Sequence, residues 1–511
     1  MTALVIHGHF YQPPRENPWT GEVERELGAE PYHDWNERIH AECYGPNAFA
    51  HIVTPTGIIE HTVNNYAQIS FNFGPTLLSW LERHHPTTYE RIREADKISA
   101  AKFNGHGNAI AQAYNHAILP LCNDRDRLTQ VLWGIADFRY RFGREPEALW
   151  LPETACNDET LEVLIKQGLR FVILAPGQAR AYKLPGETEW HPLPNGEIDT
   201  SRAYRYSHRD GSGRSIAIFF YNGPLARAIA FEKTLVSSQA LVGHFKQAAI
   251  GGGSLVHAAT DGETYGHHFK FGDLCLAHAL LLEAPEAGFT ITNYGQYLDR
   301  NPAEIEVAIN NGLEGEGTAW SCAHGVGRWI RNCGCAGEIG WSQQWRGPLR
   351  SALNYLRDQA ALEFESLGSE IFSSPWTTRN DYIELILDHG RSREEFLRRH
   401  RKRELSPADE ACALTLLEIQ RNSMLMFTSC GWFFAEVSGI EALQVMKYAA
   451  RVIELMDELG MPSPRARFLE ILAEAKSNLP EMGTGADVYL RYAEPPVSPA
   501  PSVAEREATL S

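Results

Sequence analysis

The chain lacks an apolar run near the ~20 residues that a bilayer-spanning helix needs, which excludes a membrane-spanning segment. Its first residues also lack the basic region and long apolar core of a secretory signal, so a cytoplasmic location is expected. Positive charge is in deficit: 47 Lys and Arg stand against 64 Asp and Glu, a formal net charge of −17. A nucleic-acid surface needs clustered cations, so neither nucleic acid nor membrane is expected as a partner. Cysteine is sparse and odd in number, with nine scattered along 511 residues. That pattern gives no disulfide framework and reads as reduced thiols. Hydrophobic residues make up 43% and charged residues 22%, ordinary for a globular protein, and the length suits about two to four domains.

Short apolar runs alternate with helical patterns over the first 300 residues. Runs at 3–7, 98–104, 148–152, 169–175, 216–221 and 254–260 predict buried strands. Helices are expected at 126–142 and 159–168. This alternation implies a parallel sheet with helices outside, either open or closed into a barrel. Residues 186–214 read as a loop or hairpin. Residues 301–348, rich in Gly, Trp and Cys, read as a long ordered loop region of the functional kind. From 349 to 493 the pattern turns helical. Ser406-Pro407-Ala408-Asp409 predicts a capped helix start, further helices are expected at 440–459 and 465–477, and the charge-rich run 391–404 reads as a solvated helix face. The tail 494–511, rich in Pro, Ser and Ala, is expected to be disordered.

Four polar clusters fall at the ends of these runs, where parallel α/β folds place their active face. The first is His7-Gly8-His9, followed by Tyr11-Gln12-Pro13. Its two histidines are expected on opposite faces unless the strand has ended. The second is Asn104-Gly105-His106-Gly107-Asn108, followed by His116-Ala117-Ile118-Leu119-Pro120; the glycines beside His106 let a ligand approach. The third, Trp150-Leu151-Pro152-Glu153, ends an apolar strand in one carboxylate beside an aromatic. The fourth begins at His257 and runs Thr260-Asp261-Gly262-Glu263-Thr264-Tyr265-Gly266-His267. So many ionisable groups after a buried strand are poor stability design and point to a site. Glu153 and Asp261 suit glycoside chemistry, in which one carboxylate attacks the anomeric carbon and the other protonates the leaving oxygen. Trp and Tyr nearby would stack on sugar rings. The same residues leave a metal-dependent hydrolase open, with His7, His9, His257 or His267 joining Asp261 on zinc. A carbohydrate-binding protein without catalysis is a third reading.

In this order, the clusters resemble the motifs of glycoside hydrolase family 57. Trp320-Ser321-Cys322-Ala323-His324-Gly325 sits where that family's variable fifth motif lies. The helical remainder resembles a domain of unknown function (number 3536) found on one branch of it. The resemblance implies a distorted (β/α)7 barrel followed by helices, acting on α-glucans with retention of configuration and without a cofactor. It implies Glu153 as nucleophile and Asp261 as general acid/base. It implies substrate contacts from His7, His9, His116, Trp150 and Trp320, to which the clusters add His106 and Glu263. The retaining class requires carboxyl groups about 5–5.5 Å apart. Amylases, 4-α-glucanotransferases, branching enzymes, polysaccharide deacetylases of similar barrel shape and saccharide-binding proteins are thus the classes to separate. This sequence departs from the family in a first motif spread by Phe10 and Tyr11 and in a Cys-rich fifth region. No metal ligand is assigned; Cys322, Cys333 and Cys335 read as reduced structural thiols.

Overall fold

The computed structural model describes residues 2–54, 56–194, 197–335 and 339–494. Its centre is a barrel of seven parallel strands: β1 (Thr2–Phe10), β2 (Ser70–Phe73), β3 (Ala111–Gln112), β4 (Leu149–Trp150), β5 (Phe171–Leu174), β6 (Ser215–Phe220) and β7 (Leu255–Asp261). β1 lies between β7 and β2, all parallel. Single parallel bridges, Phe71 to Ala109 and Ala148 to Phe171, carry the sheet from β2 to β3 and from β4 to β5. β5 pairs with β6. Between β6 and β7 a backbone bond from Asn222 N to His257 O, 3.0 Å, takes the place of a ladder. The barrel is therefore distorted, as expected. β6 also pairs antiparallel with Ala203–Ser207, and that sheet extends outward through Glu306–Ile309 and Ala179–Lys183.

The strands are apolar because they are covered on both faces. Leu4, Val5 and Ile6 of β1 and Phe171, Val172, Ile173 and Leu174 of β5 are all buried. Around them run α1 (Pro86–Lys102), α2 (Asp124–Phe142) and α3 (Asp158–Lys166). The expected strand at 98–104 is instead the last turn of α1 and the turn that follows it. Tyr89, Ile92, Ala95 and Ser99 recur every three or four residues and are buried, whereas Ile98 faces outward.

The helical region comprises α4 (Arg346–Ile371), α5 (Pro407–Leu425), α6 (Ile440–Glu458), α7 (Arg465–Leu472) and shorter helices. Ser406 caps α5 in a capping box with Asp409, and residues 393–400 form the helix expected in the charged run. The tail beyond 494 lies outside the described residues. Two large hydrophobic cores and a small cluster around Ala50, Ile52 and Ala277 are found among the described residues, and the second large core draws Tyr114, Ala117, Ile118, Trp133 and Ala155 from the barrel side. Polar contacts cross the same seam. Arg379 Nη1 meets Asp126 Oδ1 at 2.7 Å with both side chains largely buried, and Trp133 Nε1 donates to Asn380 O at 2.8 Å. Among the described residues, no helix is long and apolar enough to cross a membrane.

Candidate active site

The C-terminal strand ends share one mouth of the barrel, and polar side chains gather there. His7 and His9 both project into it. Their rings stack on Trp150 with centroids 4.8 and 4.9 Å away. The expectation of opposite faces is corrected: residues two apart on a strand share a face. His7 is held by Ser70 Oγ at 3.0 Å and Asn72 Oδ1 at 3.1 Å. His9 Nε2 lies 3.1 Å from His116 Nε2, and His116 Nδ1 lies 2.6 Å from Ser429 Oγ. Burial lowers the pKa of His7 and of His9 to about 3, and takes His116 well below its usual value. The contact between the two Nε2 atoms requires that at least one of His9 and His116 be neutral, since one ring must donate and the other accept. These neutral rings each keep one donor and one acceptor.

Glu153 follows β4 on a tight turn, Pro152–Thr154. Glu153 and Thr154 both take left-handed backbone conformations, at φ 59° and 50°. Such values are costly for residues with a Cβ, most of all for β-branched Thr154. Gln178 holds the turn: its Nε2 donates to Thr154 O at 2.8 Å and its Oε1 accepts from Thr154 Oγ1 at 2.9 Å. The Glu153 carboxylate accepts at Oε2 from Trp320 Nε1 (3.0 Å) and from Ser321 Oγ (2.6 Å). Burial raises its pKa, and these two bonds and the Arg328 charge oppose the rise.

Asp261 ends β7 in register with His9. Surrounding protein, and then the charge of Glu153, raise its pKa to about 7. Its own surface is open to the cleft, so water moderates that rise without reversing it. Gly262 next to it cannot be replaced simply: a Cβ there would lie 2.2 Å from the Phe10 ring. The hydroxyl of Tyr221, on the end of β6, feels the Asp261 charge.

Glu263 was expected on the substrate. It is buried instead beneath Tyr11, accepting at Oε1 from Tyr44 Oη (2.6 Å) and from Tyr11 N (3.1 Å). Burial raises its pKa to about 8. The Tyr11 ring in turn stacks on His116 at 3.7 Å, so Glu263 is linked to the site through Tyr11. His106 is not brought to this mouth. It precedes β3 and lies at the opposite end of the barrel, 3.0 Å from Glu147 and 2.9 Å from Asp299 Oδ2. Arg170 completes that ion-pair cluster. The Gly-flanked His106 does not follow a strand: α1 ends before it and β3 begins after it.

Trp320 arrives from the loop region and packs edge-on to Trp150 at 5.2 Å. Sequence reasoning missed Asn72, Gln178, Tyr221 and Ser321, although Ser321 adjoins the flagged Trp320. It also missed Ser429, which the helical region inserts behind His116; a lone Ser in Thr428-Ser429-Cys430 gives no local signal. The metal-ligand set imagined around Asp261 is dispersed. His257 bonds Tyr294 Oη and Thr200 O, and His267 bonds Glu42. Among the described residues, no group of three metal-capable side chains includes Asp261.

Comparison with known proteins fits this geometry. Alpha-amylase 1 of Dictyoglomus thermophilum is 26% identical over 106 residues, 21% of this chain and only 15% of that enzyme's length. An exo-type maltose-forming amylase from Pyrococcus sp. ST04 superposes with a TM-score of 0.67 at 15% identity, covering 100% of this chain and 94% of its own. A branching enzyme from Pyrococcus horikoshii gives a TM-score of 0.54 at 15% identity, covering 97% of this chain and 98% of its own. At these identities the structures share the fold. A domain of unknown function (DUF3536) matches residues 341–511. The family model of glycosyl hydrolase family 57 matches residues 3–308, more than half of the chain, and the chain belongs to that family.

Proposed function

We propose that this glycoside hydrolase acts on α-linked glucans with retention of configuration, through a covalent glycosyl-enzyme on Glu153. The observation that carries the reading is the unequal treatment of two carboxyls at one barrel mouth. Glu153 has its Oε2 occupied by Trp320 and Ser321, and Asp261 is raised to about 7. Two titratable groups pushed into different roles mark an acid and a nucleophile. Glu153 Oε1 attacks the anomeric carbon as Asp261 gives its proton to the departing glycosidic oxygen. Asp261, now ionised, takes a proton from water or from an acceptor hydroxyl, which then releases the sugar from Glu153. His9, His116 and Trp150 face the sugar that reacts. Trp150 Nε1 and Gln112 Nε2 are buried donors without a protein partner, and sugar hydroxyls are suitable acceptors for them. The α-glucan assignment is supported by the amylase and branching enzyme that share the fold.

The test is incubation with maltooligosaccharides, amylose, glycogen and pullulan, with the first product's anomer read by NMR. The α-anomer is expected, and initial release of the β-anomer would overturn retention. New α-1,6 branches identify a branching enzyme, and redistributed linear chains a glucanotransferase. Binding of these glucans without turnover on any of them would replace catalysis by a carbohydrate-binding role. Glu153→Gln at full activity would remove Glu153 from its role.

A further inference from the structure

The loop that delivers Trp320 and Ser321 carries a second cluster, which the carbohydrate chemistry does not use. The side-chain donor atoms of Cys322, His324, Cys333 and Cys335 all lie within 4.8 Å of one another. Cys322 Sγ is 3.9 Å from Cys335 Sγ, and Cys335 Sγ is 3.5 Å from His324 Nδ1. With Zn–S bonds of about 2.3 Å and Zn–N bonds of about 2.0–2.1 Å, a tetrahedral site has S···S edges of about 3.8 Å and S···N edges of about 3.6 Å. We propose that these four residues form a Cys3His site for a structural zinc ion. The spacing of the three cysteines alone does not show it, because the fourth ligand, His324, lies two residues past Cys322 within the fifth motif.

An independent observation is the charge beside it. The Arg346 side chain, in the first turn of α4, is fully buried. Its Nη1 points at Cys333 Sγ, 3.4 Å away, and its Nη2 at the carbonyl oxygens of Phe433 and Phe434. No carboxylate pairs with it among the described residues. A buried guanidinium needs a counter-charge. Three thiolates, one neutral imidazole and one zinc ion sum to a single negative charge, which Arg346 neutralises. Binding releases the three thiol protons to solvent.

The site would cross-link the loop from 322 to 335. Inside that loop, Arg328 bonds Ser321 O at 2.8 Å and Phe433 O at 2.7 Å, and Trp329 Nε1 bonds Ser429 O at 3.0 Å. One ion thus secures both the donors to Glu153 and the Ser429 partner of His116. With four protein ligands it has no open position, so its role is structural.

Metal content measured by mass spectrometry on protein purified under reducing conditions tests the site apart from the sugar chemistry. One zinc per chain is expected, lost in Cys333→Ser and Cys335→Ser and kept in Cys412→Ser. Should the cluster variants fold poorly, the unmodified chain can be stripped with a chelator and reloaded with cobalt(II). An intense thiolate-to-cobalt absorption with tetrahedral ligand-field bands is expected. Stripping should lower kcat on a glucan about tenfold and the melting temperature with it, both restored by zinc. A metal-free chain with freely reactive thiols, a Cys322–Cys335 disulfide, iron with sulfide, or zinc retained in Cys333→Ser would each overturn the assignment.

Discussion

At the residue scale, the titration of Asp261 moves stability and the proposed catalysis the same way, both falling as pH rises. Its folded pKa of about 7 stands above the ordinary aspartate value of 3.8. The folded state therefore holds the proton more tightly, and the stability this contributes is complete below the lower value and lost as pH rises through the higher. Glu263, raised to about 8, acts with the same sign. Asp261→Asn should gain melting temperature over the parent protein as pH rises from about 5 to about 8, a trend read by calorimetry. A parallel pair of curves would refute it. The proposed mechanism needs the acid form of Asp261, so kcat/KM should fall on an alkaline limb near its pKa. Part of the shift comes from the Glu153 charge. In Glu153→Gln the Asp261 pKa should therefore drop, as followed by NMR titration of its carboxyl carbon.

At the element scale, the turn Pro152–Thr154 aims Glu153, the proposed nucleophile, and is strained. Left-handed residues of this kind cost about 1–3 kcal/mol each, and Gln178 supplies the opposing bonds. Gln178→Ala should lose about 1–3 kcal/mol of stability and cut kcat more than KM, since the Glu153 oxygens shift with the turn. Equal kcat in steady-state kinetics would show that the turn holds without Gln178. Ser429→Ala should weaken the grip on His116 and lower kcat/KM by about tenfold, the worth of one buried bond. The legibility of elements follows the same logic. β1, β4, β5, β6 and β7 were readable because strands covered on both faces are continuous apolar runs. β2 was not, because Ser70-Phe71-Asn72-Phe73 turns Ser70 and Asn72 inward to hold His7, and β3 is too short to carry a pattern. The carboxylates and His7, His9, His116, Trp150 and Trp320 were readable because each lies in or just past a strand or a recognisable motif. Gln178 and Ser429 were not, because their partners lie far along the chain.

At the scale of the whole molecule, the barrel and the helical region are not separable units. Trp133 and Tyr114 lie in the second core, and the buried pair Arg379–Asp126 spans the seam. A chain ending at 308 should therefore be insoluble or molten by near-UV circular dichroism and inactive on any glucan. A folded, active barrel of that length would overturn this. Arg379→Ala should cost about 3–5 kcal/mol by leaving Asp126 buried and unpaired, measured by denaturant unfolding. The bridge between Ala117 and Thr428 has one more consequence, in time rather than space. His116 is synthesised early and its Ser429 partner more than three hundred residues later. At about 5–20 residues per second, the ribosome spends roughly 15–60 s between them. Until the helical region follows, the segment around Ala117 lacks the apolar cover that Leu416, Leu417 and Met446 share with it in the mature core, and it is then that a chaperone has something to hold.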